Sequence, residues 1–92
     1  MTVKEAQEKI ELYRQGLAMI FCKEIADKTV IKYFSNGYGT KFWVNRAFTT
    51  EKGIMVSPTG FKSFNPIEFD AEIQKLFEQA KETDLAMRGE LK

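Results

Sequence analysis

Apolar residues near the start of the chain recur at alternating spacings of three and four: Val3, Ala6, Ile10, Tyr13, Leu17 and Ile20. That is one stripe of an amphipathic helix, with Lys4, Glu5, Glu8, Lys9, Glu11 and Arg14 on the opposite side. Thr2 and Glu5 fit a capping box at its start. Gly16 interrupts the stripe at a cost of about 1 kcal/mol relative to Ala. Either the helix crosses Gly16 and runs to about Asp27, or it stops and Leu17–Ile25 forms a strand. The continuing stripe and the Leu, Ala and Met content favour the long helix.

The period then shortens. Thr29–Phe34 is β-branched and aromatic and reads as a strand. Ser35-Asn36-Gly37-Tyr38-Gly39 reads as a hairpin turn, because Asn-Gly tolerates positive φ. Thr40–Phe48 alternates, with Phe42, Val44, Arg46 and Phe48 on one side and Lys41, Trp43, Asn45 and Ala47 on the other. Phe42, Val44 and Phe48 are expected in the core. After a turn over Thr49–Gly53, Ile54–Ser57 is expected as a third strand, ended by Pro58 and Gly60. Asn65-Pro66-Ile67-Glu68 opens a last helix, with Asn65 as the N-cap and Glu68 completing a box. Its apolar stripe is Phe69, Ile73, Leu76, Phe77 and Ala80. It should fade between about Thr83 and Gly89, leaving 89–92 as a frayed tail.

The expected fold class is therefore α+β, in the order α-β-β-β-α. A three-stranded antiparallel meander packs against two helices in two layers, leaving the other sheet face open to solvent or a partner. With 92 residues the chain has room for a single core, so residues 1–92 read as one domain.

Composition removes several chemistries. There is no His, hence neither the usual general acid/base at neutral pH nor the commonest metal ligand. Cys22 is the sole cysteine, which excludes an internal disulfide; its apolar run Leu17–Cys22 reads as buried, and a single thiol suits a reducing compartment. No apolar run approaches the roughly twenty residues of a membrane span, and the N-terminus has no signal-peptide core, so a soluble, cytoplasmic protein is expected. Gly37-Tyr38-Gly39 lacks the rest of a phosphate loop and reads as a turn. Glu68, Asp70 and Glu72 complement a helix dipole. Ser57, Ser63, Thr49 and Thr50 have no base beside them in the pattern. No catalytic spacing, cofactor or metal site is expected, and the protein reads as non-enzymatic.

Charge adds one asymmetry. The net charge of +1 divides into −1 over residues 1–27, +5 over 28–63 and −3 over 64–92. Seven of the twelve aromatics also fall in the basic middle segment. Two readings follow. In the first, this is a small regulatory or inhibitory protein that binds another protein through an aromatic-basic sheet surface, with Tyr38, Trp43 and Arg46 as anchors. In the alternative, the same segment binds single-stranded nucleic acid through Lys32, Tyr33, Lys41, Trp43, Arg46 and Lys52, cations tracking phosphates and rings stacking on bases. Lys41 and Trp43 share a strand face, and either Lys32 or Tyr33 joins them, depending on register. A homo-oligomer through a sheet edge or the open face fits either reading.

Overall fold

A computed structural model describes residues 1–90, with side chains described through Glu82. The elements are α1 (Val3–Ile20), α2 (Lys23–Lys28), β1 (Val30–Asn36), β2 (Gly39–Asn45), β3 (Ala47–Thr50), β4 (Gly53–Val56), β5 (Lys62–Phe64) and α3 (Pro66–Glu90). The fold is α+β, with a three-stranded antiparallel sheet in the order β1-β2-β5 and a separate β3–β4 hairpin.

Helix α1 crosses Gly16, as the stripe predicts, but does not reach Asp27. Phe21 closes it with a bond from its N–H to Leu17 O (2.9 Å), Cys22 is extended, and α2 starts anew at Lys23. Arg14 ties the two together, its Nη1 donating to Ala26 O (2.6 Å) and Thr29 O (2.7 Å), carbonyls that the end of α2 leaves open. Cys22 lies in this break and is exposed, contrary to its apolar neighbourhood in sequence. At the front of α1 the Thr2 hydroxyl accepts from Glu5 N–H (3.1 Å) and donates to Glu5 Oε1 (3.2 Å), so the carboxylate bonds the cap side chain instead of the cap backbone.

The expected meander is corrected in two places. Arg46 stands outside both ladders, its carbonyl held by the Ser57 N–H (3.0 Å). The expected long strand therefore splits, and its inward–outward phase shifts by one residue. Ala47 is buried, its N–H bonded to the buried Thr29 Oγ1 (3.1 Å), and Phe48 is 41% exposed instead of in the core. Residues 54–56 pair with β3, and the third strand of the main sheet is the short segment Lys62–Phe64. The β1–β2 turn forms where expected, although positive φ falls at Gly39 (+136°) and not at Asn36 or Gly37.

Helix α3 opens with the reciprocal box: Asn65 Oδ1 accepts from Glu68 N–H (2.8 Å), and Glu68 Oε1 accepts from Asn65 N–H (3.1 Å). It runs through the expected fading zone to Glu90; Leu91 and Lys92, the end of the expected tail, lie outside the described residues. Lys9 meets Asp70, Gly16 faces Leu76, and Met19 lines a groove with Ala80; the pairs advance together along α1 and α3, so the two helices run in the same direction. At Gly16 they come so close that a Cβ would stand 2.8 Å from Leu76 Cβ, the reason the stripe carries a glycine there.

Three rings join the layers. Phe42 of β2 stacks on Phe69 of α3 (centroids 4.2 Å, planes 8° apart), and Phe69 stacks on Tyr13 of α1 (5.2 Å, 18°). Ala6, Leu17, Ala26, Val44, Ile73 and Leu76 complete the buried core. No described helix is long and apolar enough to cross a membrane.

Candidate binding face of the sheet

Alternation along β1 and β2 assigns each residue to one face, and the ladder register settles which residues meet. Ile31 pairs with Val44, and Tyr33 with Phe42, which pairs in turn with Phe64. These side chains face the helices. The opposite face carries Lys32, Trp43 and Ser63 in one row, and Phe34 with Lys41 in the next.

Trp43 is 41% exposed, and its Nε1 donates to Ser63 Oγ (3.1 Å), which fixes the indole across the β2–β5 ladder. Phe34 is 55% exposed and Phe61, just before β5, 45%. Lys32 Nζ lies 5.4 Å from the Phe61 ring centroid, a cation–π distance that holds the lysine stem along this face. A groove at the hairpin end is lined by Phe34, Tyr38, Lys41 and Pro66. Tyr38 is fully exposed at the tip, where its N–H is fixed by Asn36 Oδ1 (2.8 Å). Neither residues 30–45 nor residues 61–64 contain an acidic side chain. A fixed indole, two phenyl rings and two ammonium groups thus share one uncovered face with no carboxylate from its own strands.

The structure brings together Lys32, Lys41 and Trp43 of the sequence-derived set, with Tyr38 at the margin. It does not bring Tyr33, which faces inward and lies 6.3 Å, centroid to centroid, from Phe42. Nor does it bring Arg46. That guanidinium is half-buried on the helix side, 4.7 Å over the Phe21 ring and beside the Tyr13 hydroxyl. Lys52 sits at the turn of the β3–β4 hairpin, where its N–H bonds Thr50 Oγ1 (3.2 Å). Sequence reasoning missed Phe34, Phe61 and Ser63. Phe34 was recoverable, because it is two residues from Lys32 on the same strand. Phe61 and Ser63 join only through β5, which is too short to show a period.

Burial raises the Tyr13 phenol above its ordinary value of 10.0; the nearby Arg46 charge opposes this shift and that of Glu72 adds to it. Among the described residues no group of three or more His, Cys, Asp or Glu is placed to hold a metal. Comparison with protein-family models, with curated proteins and with solved structures returns no match to this chain.

Proposed function

We propose that this is a non-enzymatic domain that binds single-stranded nucleic acid on the uncovered face of the β1-β2-β5 sheet. The observation that carries the reading is the register that sets Lys32 beside Trp43 and Phe34 beside Lys41 on one face. Unpaired bases offer flat rings for Trp43, Phe34 and Phe61, and the phosphates between them offer charge to Lys32 and Lys41. A protein partner anchored on Tyr38, Trp43 and Arg46 is less well served, since Arg46 lies on the other side of the sheet.

The setting that suits this function is cytoplasmic, where the exposed Cys22 thiol stays reduced. We further propose that two copies pair through β1, an outer strand of seven residues. Sedimentation equilibrium showing a monomer at high concentration would remove the dimer and leave the binding face intact.

The test of the main reading is a titration with mixed-sequence single-stranded DNA and RNA at two salt concentrations, following fluorescence. Trp43 is the only tryptophan, so the signal arises at the face itself. The expected result is a saturable change that weakens with salt, the logarithmic slope being about −0.7 per phosphate neutralised. Lys41→Gln should reduce that slope by about one such step. A flat signal together with no mobility shift at low salt overturns the reading and turns the face over to a protein partner.

A further inference from the structure

On the helix side of the sheet, where β5 is an outer strand, lies a cavity of about 190 Å³. Its lining includes Tyr13 from α1, Arg46 between β2 and β3, Ser57 and Thr59 from the β4–β5 loop, Lys62 from β5, and Glu72 from α3. Lys62 pairs with Val44 in the ladder, so it belongs to the face away from Trp43. Arg46 is held from several sides. Its guanidinium lies over Phe21 and beside the Tyr13 hydroxyl, and its carbonyl is bound by Ser57 N–H. Yet its Nε is closed off from solvent and meets no acceptor among the described residues. The guanidinium is thus held half-buried with its charge uncompensated at that atom, and an anion in the cavity offsets by charge the cost of keeping it there.

We infer that this cavity is an oxyanion site that takes a phosphate monoester group. Residues that carry donors line it from different elements: Arg46 from the strand break, Lys62 from β5, Ser57 and Thr59 from the loop and Tyr13 from α1. Convergence from several directions suits a tetrahedral phosphate better than a planar carboxylate, which a single Arg fork satisfies alone. Ser57 and Thr59 hydroxyls lie 2.6 Å apart, Thr59 N–H bonds Ser57 Oγ (3.3 Å), and Gly60 at φ +89° turns the chain back towards β5. Glu72 is the one carboxylate in the lining among the described residues; its Oε1 accepts from Lys75 Nζ (3.3 Å), and it leaves the two cations in excess by one charge. The inference stands apart from the sheet-face reading, because its residues lie on the opposite side of the sheet.

The experiment titrates the protein with inorganic phosphate at constant ionic strength, following backbone amide shifts of the 57–62 loop by NMR. Saturable shifts confined to this loop are expected. Lys62→Gln, at an exposed position, should weaken binding about tenfold, and Glu72→Gln should strengthen it. Acetate should compete poorly and sulfate well. A 5′-phosphorylated oligonucleotide compared with its unphosphorylated form then separates a strand terminus from a free phosphate as the source. Running the same comparison in Trp43→Ala keeps this site distinct from the stacking face. Shifts spread evenly over surface lysines without saturation overturn the inference, as does equal affinity in wild type and Lys62→Gln. Acetate that competes as strongly as sulfate overturns the phosphate assignment.

Discussion

Phe42 and Trp43 are neighbours in one strand, and the ladder points them to opposite faces. Phe42 is fully buried, stacked on Phe69 and paired with Phe64 across the ladder, whereas Trp43 stands 41% exposed with its Nε1 on Ser63. The same contrast holds for the faces as wholes. The covered face is Ile31, Tyr33, Phe42, Val44 and Phe64, closed by Phe69 and, through it, Tyr13. The uncovered face has comparable aromatic content but sets lysines between its rings. Aromatic residues therefore serve two ends here. On one side they supply burial, which scales with the area removed from water. On the other they remain available for a ligand, and their cost is met by the core behind them.

The largest expected difference lies in stability. Phe42→Ala removes the sheet-side ring of the Phe42–Phe69–Tyr13 stack and should cost about 3–5 kcal/mol by chemical denaturation. A loss no larger than that of Trp43→Ala would collapse the distinction between the faces. Next comes Gly16→Ala, which tests how tightly the helices that cover the inner face are packed. In an open helix this change would gain about 1 kcal/mol. Here the new Cβ meets Leu76 at 2.8 Å, and overpacking should reverse the sign, destabilising by about 1–3 kcal/mol. A stabilised variant would show that the close approach is not required.

Local chemistry made parts of this architecture legible in the sequence. The Asn65–Glu68 box is written within four residues, and so is the Thr2 cap. The stripe of α1 survived Gly16, because what the glycine loses in helix propensity serves the approach of Leu76. What failed were features decided at a distance. Nothing near Arg46 announces that the chain leaves the sheet there; the break depends on Ser57 holding its carbonyl and on Thr29 holding the Ala47 N–H. That one-residue shift sent Phe48 outward and Ala47 inward. Arg46 stays on the side of Phe42 and Val44, where the alternation already put it, so it is no anchor of the binding face and lines a cavity instead. Tyr33 was placed by register, which period alone does not set. β5 carries three residues, too few for any alternation to register, and with it came Phe61 and Ser63.

A smaller effect on the covered side is confined to alkaline pH. Burial holds the Tyr13 phenol above 10.0, Arg46 opposing and Glu72 adding to the shift. The unfolded chain releases this proton near pH 10 while the folded chain retains it, so the native state binds more protons in that window. The contribution is complete below pH 10 and is lost as pH rises through the folded value. Tyr13→Phe should flatten that part of the stability profile. Identical alkaline slopes in both proteins would mean that the phenol is not buried as described.

The smallest stability effect should belong to Trp43→Ala, and it is the most telling for function. A half-exposed cross-strand residue contributes about 1 kcal/mol or less to the fold. Stacking of one base on an aromatic ring is worth about 1–3 kcal/mol. For Trp43 the loss of binding should therefore exceed the loss of stability, and for Phe42 the order should be reversed. Trp43→Phe sharpens the point: it removes the bond to Ser63 but keeps a ring, so it should retain more affinity than Trp43→Ala. If both substitutions weaken binding equally, the indole acts through the Ser63 bond that positions β5. If neither does, the uncovered face is not where nucleic acid binds.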